Sequence, residues 1–585
     1  MVATGHGDRG PPGEDAMRQR GFTSIIAALI ATLAAGPAAA GGPASPPRVE
    51  SDAEMVRHLQ ETDRPNAPVD YGYGPGVRPP TRAAPLASAT APLATAPLAT
   101  APLAAEGVLP APVLPIPVPE GGPAAAAGGV FGPVIPWPII PIHAVLLPDA
   151  RVLSFGALES GRQGGYVTSV WDTARGTHIT LPNGTPTDLF CAGQTVLGDS
   201  GQVFIAGGDL TVRGVRNFST ADVNLFDPAT QTLSLIQPMF VPRWYPTVVP
   251  LPTGELLVLG GRSTREPITG VPTPEVYNPA SGWRLLSNAS SNAAYGRTGW
   301  YYPRAFQAPN GLVFVFVRTG ELYYLDPAGS GRLTRIPGPL APVSGAGLPA
   351  IMYAPGQILS LRYERKVVTF DINRSPPVME AAADIDAVRY WASGTILADG
   401  KVLVNGGSAV SNRDIGVSYT AQIWDPATRL WTTGATARRM RLYHSITLLL
   451  PDGTVLTAGG GAPGPVRNLN AEIYFPPYLY RSDGEPATRP VIGTAPDRIR
   501  LGQAFTAEMA TSEPVRRVTL VRPGSDTHTV NVDHRFFDLP FTQDDRTLTL
   551  TAPADPNLAL SGWYLLFAFN GAGTPSVAKI IRLRA

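Results

Sequence analysis

Between residues 150 and 460 polar turns alternate with short apolar runs, and the runs share one phrase: a glycine, a short apolar stretch, then a glycine pair. It reads Gly201-Gln202-Val203-Phe204-Ile205-Ala206-Gly207-Gly208, then Gly254-Glu255-Leu256-Leu257-Val258-Leu259-Gly260-Gly261. It returns as Gly400-Lys401-Val402-Leu403-Val404-Asn405-Gly406-Gly407 and Gly453-Thr454-Val455-Leu456-Thr457-Ala458-Gly459-Gly460, with weaker forms at residues 150–156 and 311–320. Runs of this length bounded by turn residues predict buried strands. A second phrase follows several copies: Phe226-Asp227-Pro228-Ala229, Tyr277-Asn278-Pro279-Ala280, Leu325-Asp326-Pro327-Ala328 and Trp424-Asp425-Pro426-Ala427, with a degenerate start at Trp171-Asp172. Glycine pairs permit positive φ and close backbone approach, and Asp/Asn-Pro is turn chemistry.

A repeat of roughly fifty residues built from short strands is the signature of a kelch-type β-propeller. Six phrases are visible, and a seventh blade can be assembled from both ends of the repeat region, so seven blades are preferred over six. After residue 480 the pattern changes. Arg517-Val518-Thr519-Leu520-Val521, Thr547-Leu548-Thr549-Leu550 and Trp563-Tyr564-Leu565-Leu566-Phe567-Ala568-Phe569 predict an immunoglobulin-like β-sandwich. The chain is therefore expected to be all-β, with an N-terminal extension and signal or anchor at 1–42, an Ala/Pro-rich linker at 43–127, a propeller at 128–484 and a sandwich at 485–585.

Composition changes this picture at the N-terminus only. Basic residues follow Met17, residues 23–35 are apolar, and Gly36-Pro37-Ala38-Ala39-Ala40 resembles a cleavage site. This is the layout of a secretory signal, which places the protein outside the cytoplasm or at the cell envelope; left uncleaved, the segment would anchor the chain to a membrane. The linker, with its repeated Leu-Ala-Thr-Ala-Pro, has little to pack, apart from a short helix expected at 52–61. The 46 basic and 45 acidic side chains balance and form no block of like charge, so nucleic acid is not an expected partner. A monomer is expected. The single cysteine, Cys191, excludes an intramolecular disulfide.

The candidate chemistry stands just ahead of the strands. Phe190-Cys191-Ala192-Gly193, Arg243-Trp244-Tyr245-Pro246-Thr247 and Arg441-Leu442-Tyr443-His444-Ser445 each precede a glycine phrase in the same register. Equivalent positions around a propeller converge on its axis, and a loop of the sandwich, Thr527-His528-Thr529-Val530-Asn531, offers a further ligand. Adjacent residues of a regular strand face opposite ways, so Tyr443 and His444 share one ion only if the backbone bends between them. His534 is a competing ligand, His143 reads as structural, and Arg243 and Arg441 supply either positive potential or structure.

In these stretches, together with Glu472-Ile473-Tyr474-Phe475-Pro476-Pro477-Tyr478 and Gly571-Ala572-Gly573-Thr574-Pro575-Ser576-Val577-Ala578-Lys579, the chain resembles the copper radical oxidases, the galactose and glyoxal oxidases, and is closer to the latter. The resemblance spans residues 130–585. It implies a thioether between Cys191 and Tyr245, with the modified tyrosine serving both as copper ligand and as radical. It further implies Tyr443 as axial ligand and general base, and His444 and His528 as the remaining copper ligands. Imidazole and phenolate suit a cupric ion. The implied enzyme is a copper-dependent oxidoreductase that oxidises small aldehydes, as hydrates, or primary alcohols with O2 and releases H2O2.

One departure bears on specificity. Galactose oxidase stacks a tryptophan on its cross-linked tyrosine shortly after it in sequence, and Gly260-Gly261-Arg262-Ser263-Thr264 contains none, leaving Trp244 and Trp300 as alternatives. That weakens galactose as the substrate. The rival reading is a non-catalytic kelch propeller that binds a glycan or protein. No paired-carboxylate or nucleophile motif supports a hydrolase or lyase.

Overall fold

The computed structural model describes residues 115–585, apart from 265–268, 297–298 and 346. The expected signal segment, most of the linker and the expected helix at 52–61 lie outside the described residues. Nearly all regular structure is β, and the α-helices among the described residues are the single turns Ala125–Gly128 and Asn292–Tyr295. No helix there is long and apolar enough to cross a membrane.

Among the described residues, seven sheets with a four-strand antiparallel core follow one another, the order a seven-bladed propeller requires. We number them blades 1–7, with innermost strands at or near Ile140–Leu146, Gly193–Val196, Trp244–Pro250, Arg304–Gln307, Ala350–Ala354, Tyr390–Ile396 and Ser445–Leu449. Blade 7 draws on both ends of this region. Its outer strand is Val130–Phe131, which pairs with Asn470–Phe475 in the register Val130↔Phe475.

The glycine pairs explain how neighbouring blades meet. At Gly207, φ is +73°, and a Cβ there would stand 2.2 Å from the Arg243 carbonyl of the next blade. That carbonyl accepts from Gly208 N–H at 3.0 Å, and the next copies repeat the contact from Gly261 to Trp300 and from Gly407 to Arg441. In blade 7 a Cβ on Gly459 would meet the carbonyl of Pro141 in blade 1 at 2.5 Å, so the last blade touches the first. Apolar side chains fill the remaining space, as where Val145, Leu153 and Phe155 of blade 1 bury against Leu189, Val203 and Ile205. Each such side chain contributes about 1.5–3 kcal/mol.

The C-terminal region forms two further sheets, of four and five strands, over their own apolar core. Between Arg517–Arg522 and Arg535–Asp538 the chain leaves this core. There the strand Ser525–Thr527 adds to the innermost strand of blade 1, in the register His143↔Thr527 and Val145↔Ser525. Val530 then bridges Ala350 of blade 5. His528 thus arrives among the innermost strands on a segment held from two blades.

Candidate metal centre

A backbone feature common to several blades decides which side chains face the centre. Cys191, Tyr245, Tyr302, Trp391 and His444, at the entries to the innermost strands of blades 2, 3, 4, 6 and 7, all have positive φ, as does His528. The left-handed region costs a non-glycine residue about 1–2 kcal/mol, and its clustering at one place points to function. The consequence is clearest at blade 7. With φ +69° at His444 the strand alternation is broken, and the rings of Tyr443 and His444 stack at 3.7 Å instead of facing apart. This is the bend that the adjacent pair required.

The metal-binding atoms converge. Cys191 Sγ lies 3.4 Å from His528 Nε2 and 3.9 Å from His444 Nε2, and the three ligand atoms fall within 4.8 Å of one another, all buried. The imidazole tautomers follow from their partners. His444 Nδ1 is 2.6 Å from the Gly461 carbonyl, which only accepts, so Nδ1 carries the proton. His528 Nδ1 is 2.6 Å from Thr527 Oγ1, whose own proton goes to the Ile142 carbonyl, so this Nδ1 also donates. Both rings therefore present an Nε2 lone pair to the centre, the orientation that partners of this kind impose on ligating histidines. Burial lowers His444 to about 3 and drives His528 well below its ordinary value, so both rings are neutral.

The phenols complete the cluster. Tyr301 donates to Tyr443 at 3.2 Å, the Tyr443 and Tyr245 hydroxyls are 3.0 Å apart, and Tyr245 hydrogen-bonds the Cys191 thiol. Burial raises Tyr245, Tyr443, Tyr301 and the thiol well above their usual ranges, so every member is neutral on its own. Two imidazole nitrogens with two phenols that can ionise form a donor set suited to a cupric ion, whose charge would reverse the cost of ionising them. The residues present fit that metal.

The ring stacked on Tyr245 is Tyr301, at 4.4 Å and 30°. Trp244 is tilted by 40° at 4.3 Å, and Trp300 by 54° at 5.9 Å. Trp244 instead lies under Arg262, whose guanidinium is 4.0 Å from its ring. Sequence reasoning missed Tyr301 as a site residue, because its neighbours in space, Tyr245 and Tyr443, come from blades 3 and 7 and its neighbours in sequence from blade 4. It also missed Thr527, which orients His528, and Trp391, whose ring is 4.4 Å from Tyr443. The one available signal was the run Trp300-Tyr301-Tyr302 ahead of a strand, in the register of Trp244-Tyr245.

The two arginines are structural. Arg243 is buried, 2.8 Å from Glu275, and donates to the Gly260 carbonyl at 2.7 Å. Arg441 repeats this with Glu472 at 3.2 Å and the Gly459 carbonyl at 3.0 Å. Each ties the entry of its innermost strand to the glycine pair of the same blade. His534 stands outside the cluster, with Nε2 accepting from Asn531 at 3.0 Å. His143 stacks on Phe155 at 4.4 Å and donates from Nδ1 to Gln194 at 2.8 Å, with its ring 5.6 Å from that of His528.

A family profile described as galactose oxidase-like, early set domain, matches residues 489–583. The chain is 29% identical to a galactose oxidase of Gibberella zeae over 502 residues, covering 78% of this chain and 70% of that protein. It is 25% identical to aldehyde oxidase GLOX of Vitis pseudoreticulata, covering 68% and 82%, and 24% identical to aldehyde oxidase GLOX1 of Arabidopsis thaliana, covering 77% and 86%. Galactose oxidase and the GLOX proteins are thus its homologues. Its fold is that of a solved fungal alcohol oxidase of the AA5 family in complex with copper, with a TM-score of 0.70, 24% identity and coverage of 78% of this chain and all of the other.

Proposed function

We propose that the protein is a copper radical oxidase that oxidises aldehyde hydrates or primary alcohols with O2. The net reactions are RCH(OH)2 + O2 → RCOOH + H2O2 and RCH2OH + O2 → RCHO + H2O2. The observation that carries this reading is the convergence of Cys191, His444 and His528 within 4.8 Å, beside Tyr245 and Tyr443 with their hydroxyls 3.0 Å apart. A scaffold propeller has no use for five buried, mutually neutral donors drawn from two regions of one chain.

In this reading His444, His528, Tyr245 and Tyr443 hold the copper, which supplies a one-electron change and polarises the substrate oxygen. Cys191 and Tyr245 would join as a thioether, their two hydrogens passing to O2, and the joined tyrosine, as a tyrosyl radical, would accept the second electron taken from the substrate. Tyr443 takes the substrate's hydroxyl proton, and Tyr301, already donating to the same oxygen, stabilises that oxygen as its charge changes. Stacking of Tyr301 over Tyr245 keeps water from one face of the radical. Residues 128–484 form the kelch-type unit, 485–585 the domain that lends it His528, and 1–127 the export signal or anchor and spacer of a monomeric, exported enzyme.

The deciding experiment is peptide mass analysis of protein loaded with copper in air. The peptides of Cys191 and Tyr245 should stay joined under reduction with the loss of two hydrogens, and peroxide should appear with small aldehydes or alcohols. Two separate peptides from fully loaded protein would sink the mechanism and favour the glycan- or protein-binding propeller.

A further inference from the structure

In blades 2, 3, 6 and 7 the second strand exits on the glycine pair. Aligned from the opening glycine of the phrase, blade 4 (Gly311) carries Val317-Arg318 at those positions and blade 5 (Gly356) carries Arg362-Tyr363. Two adjacent blades have thus exchanged the pair that lets the next blade close in, and each has gained an arginine. Breaks in an otherwise consistent local pattern are where function is expected.

The structure opens a cleft at this place, with about 30 Å³ of room. Tyr301, Tyr302, Arg304, Phe316, Arg318 and Ser344 bound it, and among the described residues no carboxylate does. Its Tyr301 wall is the ring stacked on Tyr245 and hydrogen-bonded to Tyr443, so the cleft abuts the candidate metal centre. Arg362 lies behind the Phe316 wall, 2% exposed, with its guanidinium 4.9 Å from that ring and 5.3 Å from Phe370. Its Nη1 donates to the Pro342 carbonyl at 3.2 Å, and its Nε and Nη2 have no partner among the described residues. Burial lowers it to about 9, and Arg304 pushes it the same way. A buried cation without a counter-charge is strongly unfavourable, and aromatic faces compensate it only in part.

We propose that this cleft is an anion subsite that receives a carboxylate carried on the aldehyde or alcohol substrate. Arg318 at the half-buried exit of blade 4 hydrogen-bonds the carboxylate, and Arg304 and Arg362 supply the positive potential that draws it in. The volume suits a carboxylate-sized group. This assignment rests on the oxidase reading for the identity of the anion as substrate, and on the arginines alone for the site.

The test compares glyoxylate with its uncharged methyl ester on the copper-loaded full chain, and titrates oxamate against neutral acetamide by calorimetry on copper-loaded and copper-free protein. The wild type should favour glyoxylate in kcat/KM and bind oxamate but not acetamide. In Arg318→Gln the glyoxylate-to-ester ratio should fall about 30-fold, the size of a lost charge-assisted hydrogen bond, in Arg362→Met, which removes charge but no contact, about 5-fold, and oxamate binding should fall in step. Arg318 is half-buried, so Arg318→Gln keeps the test available should Arg362→Met fail to fold. A wild type without selectivity, or variants whose ratio and oxamate affinity stay within twofold, overturn the subsite while activity on neutral aldehydes leaves the oxidase reading intact. Absence of peroxide with every substrate overturns the oxidase reading and the anion's role as substrate, whereas loss of oxamate binding in the variants still establishes the site.

Discussion

The candidate metal centre and the ring of ion pairs around it are both buried, and they handle charge in opposite ways. Around the centre, Arg243 pairs with Glu275, Arg441 with Glu472, Arg522 with Asp533, and Arg216 with both Asp188 and Asp209. Each arginine meets at least one carboxylate, and Arg243 and Arg441 also tie the strand entries to backbone. Within the centre, a thiol, two imidazoles and the phenols are all held neutral by burial. The shell sets the geometry without the metal, and the centre takes up charge only when a cation brings it. Breaking the centre should cost metal and leave the fold, whereas breaking the shell should cost the fold first.

The largest expected effect is in the centre. His444→Ala and His528→Ala should each lower copper(II) affinity by about 100-fold or more, measured by competition with a chelator, while thermal unfolding of the copper-free chain stays close to wild type. Large destabilisation without metal would break the distinction drawn here. Next comes the shell. Glu275→Ala or Glu472→Ala leaves a buried guanidinium uncompensated and should cost about 3–5 kcal/mol, read by denaturant unfolding of the copper-free protein.

A third variant stands between the two regions. Thr527→Val removes the acceptor for His528 Nδ1 but keeps the side chain's shape, and should weaken copper binding by about 10-fold or more with little loss of stability. Equal copper affinity in Thr527→Val and wild type would mean that Thr527 does not orient the ring. The smallest effect is a pH dependence within the shell. Burial holds Asp209 above the ordinary carboxylate range despite Arg216. Its folded-state value exceeds the unfolded one, so the folded state binds the proton more tightly, and stability falls as pH rises above about 4. The slope should be on the order of 1 kcal/mol per pH unit within that window. Comparison of unfolding free energy against pH for wild type and Asp209→Asn checks this, and parallel curves would remove Asp209 as the cause.

Much of this division was legible beforehand. The glycine phrase announced the strands because a buried strand exit that packs on its neighbour's carbonyl tolerates no Cβ, as at Gly207 and Gly459. The candidate ligands were legible because the chain has few histidines and a single cysteine, and because Cys191, Tyr245 and the Tyr443-His444 pair all stand at the entry to a strand of the repeat. The role of Arg243 and Arg441 was not legible, since their partners Glu275 and Glu472 lie two strands further on.

The sequence by itself therefore determined the all-β character, the repeat, the change of pattern after residue 480 and the residue types at each strand entry. Those follow from local periodicity and turn chemistry, which act over a few residues. A seventh blade drawn from both ends was legible too; only the tertiary structure decided that Val130–Phe131 would be its outer strand and that Ser525–Thr527 would carry His528 in against blade 1. Only it decided, too, that Tyr301 would stack on Tyr245 and that a left-handed residue at His444 would turn two successive side chains to one side. The physical reason is the same each time. A strand's alternation fixes faces only relative to its own axis, and which face meets which partner depends on contacts between segments far apart in the chain.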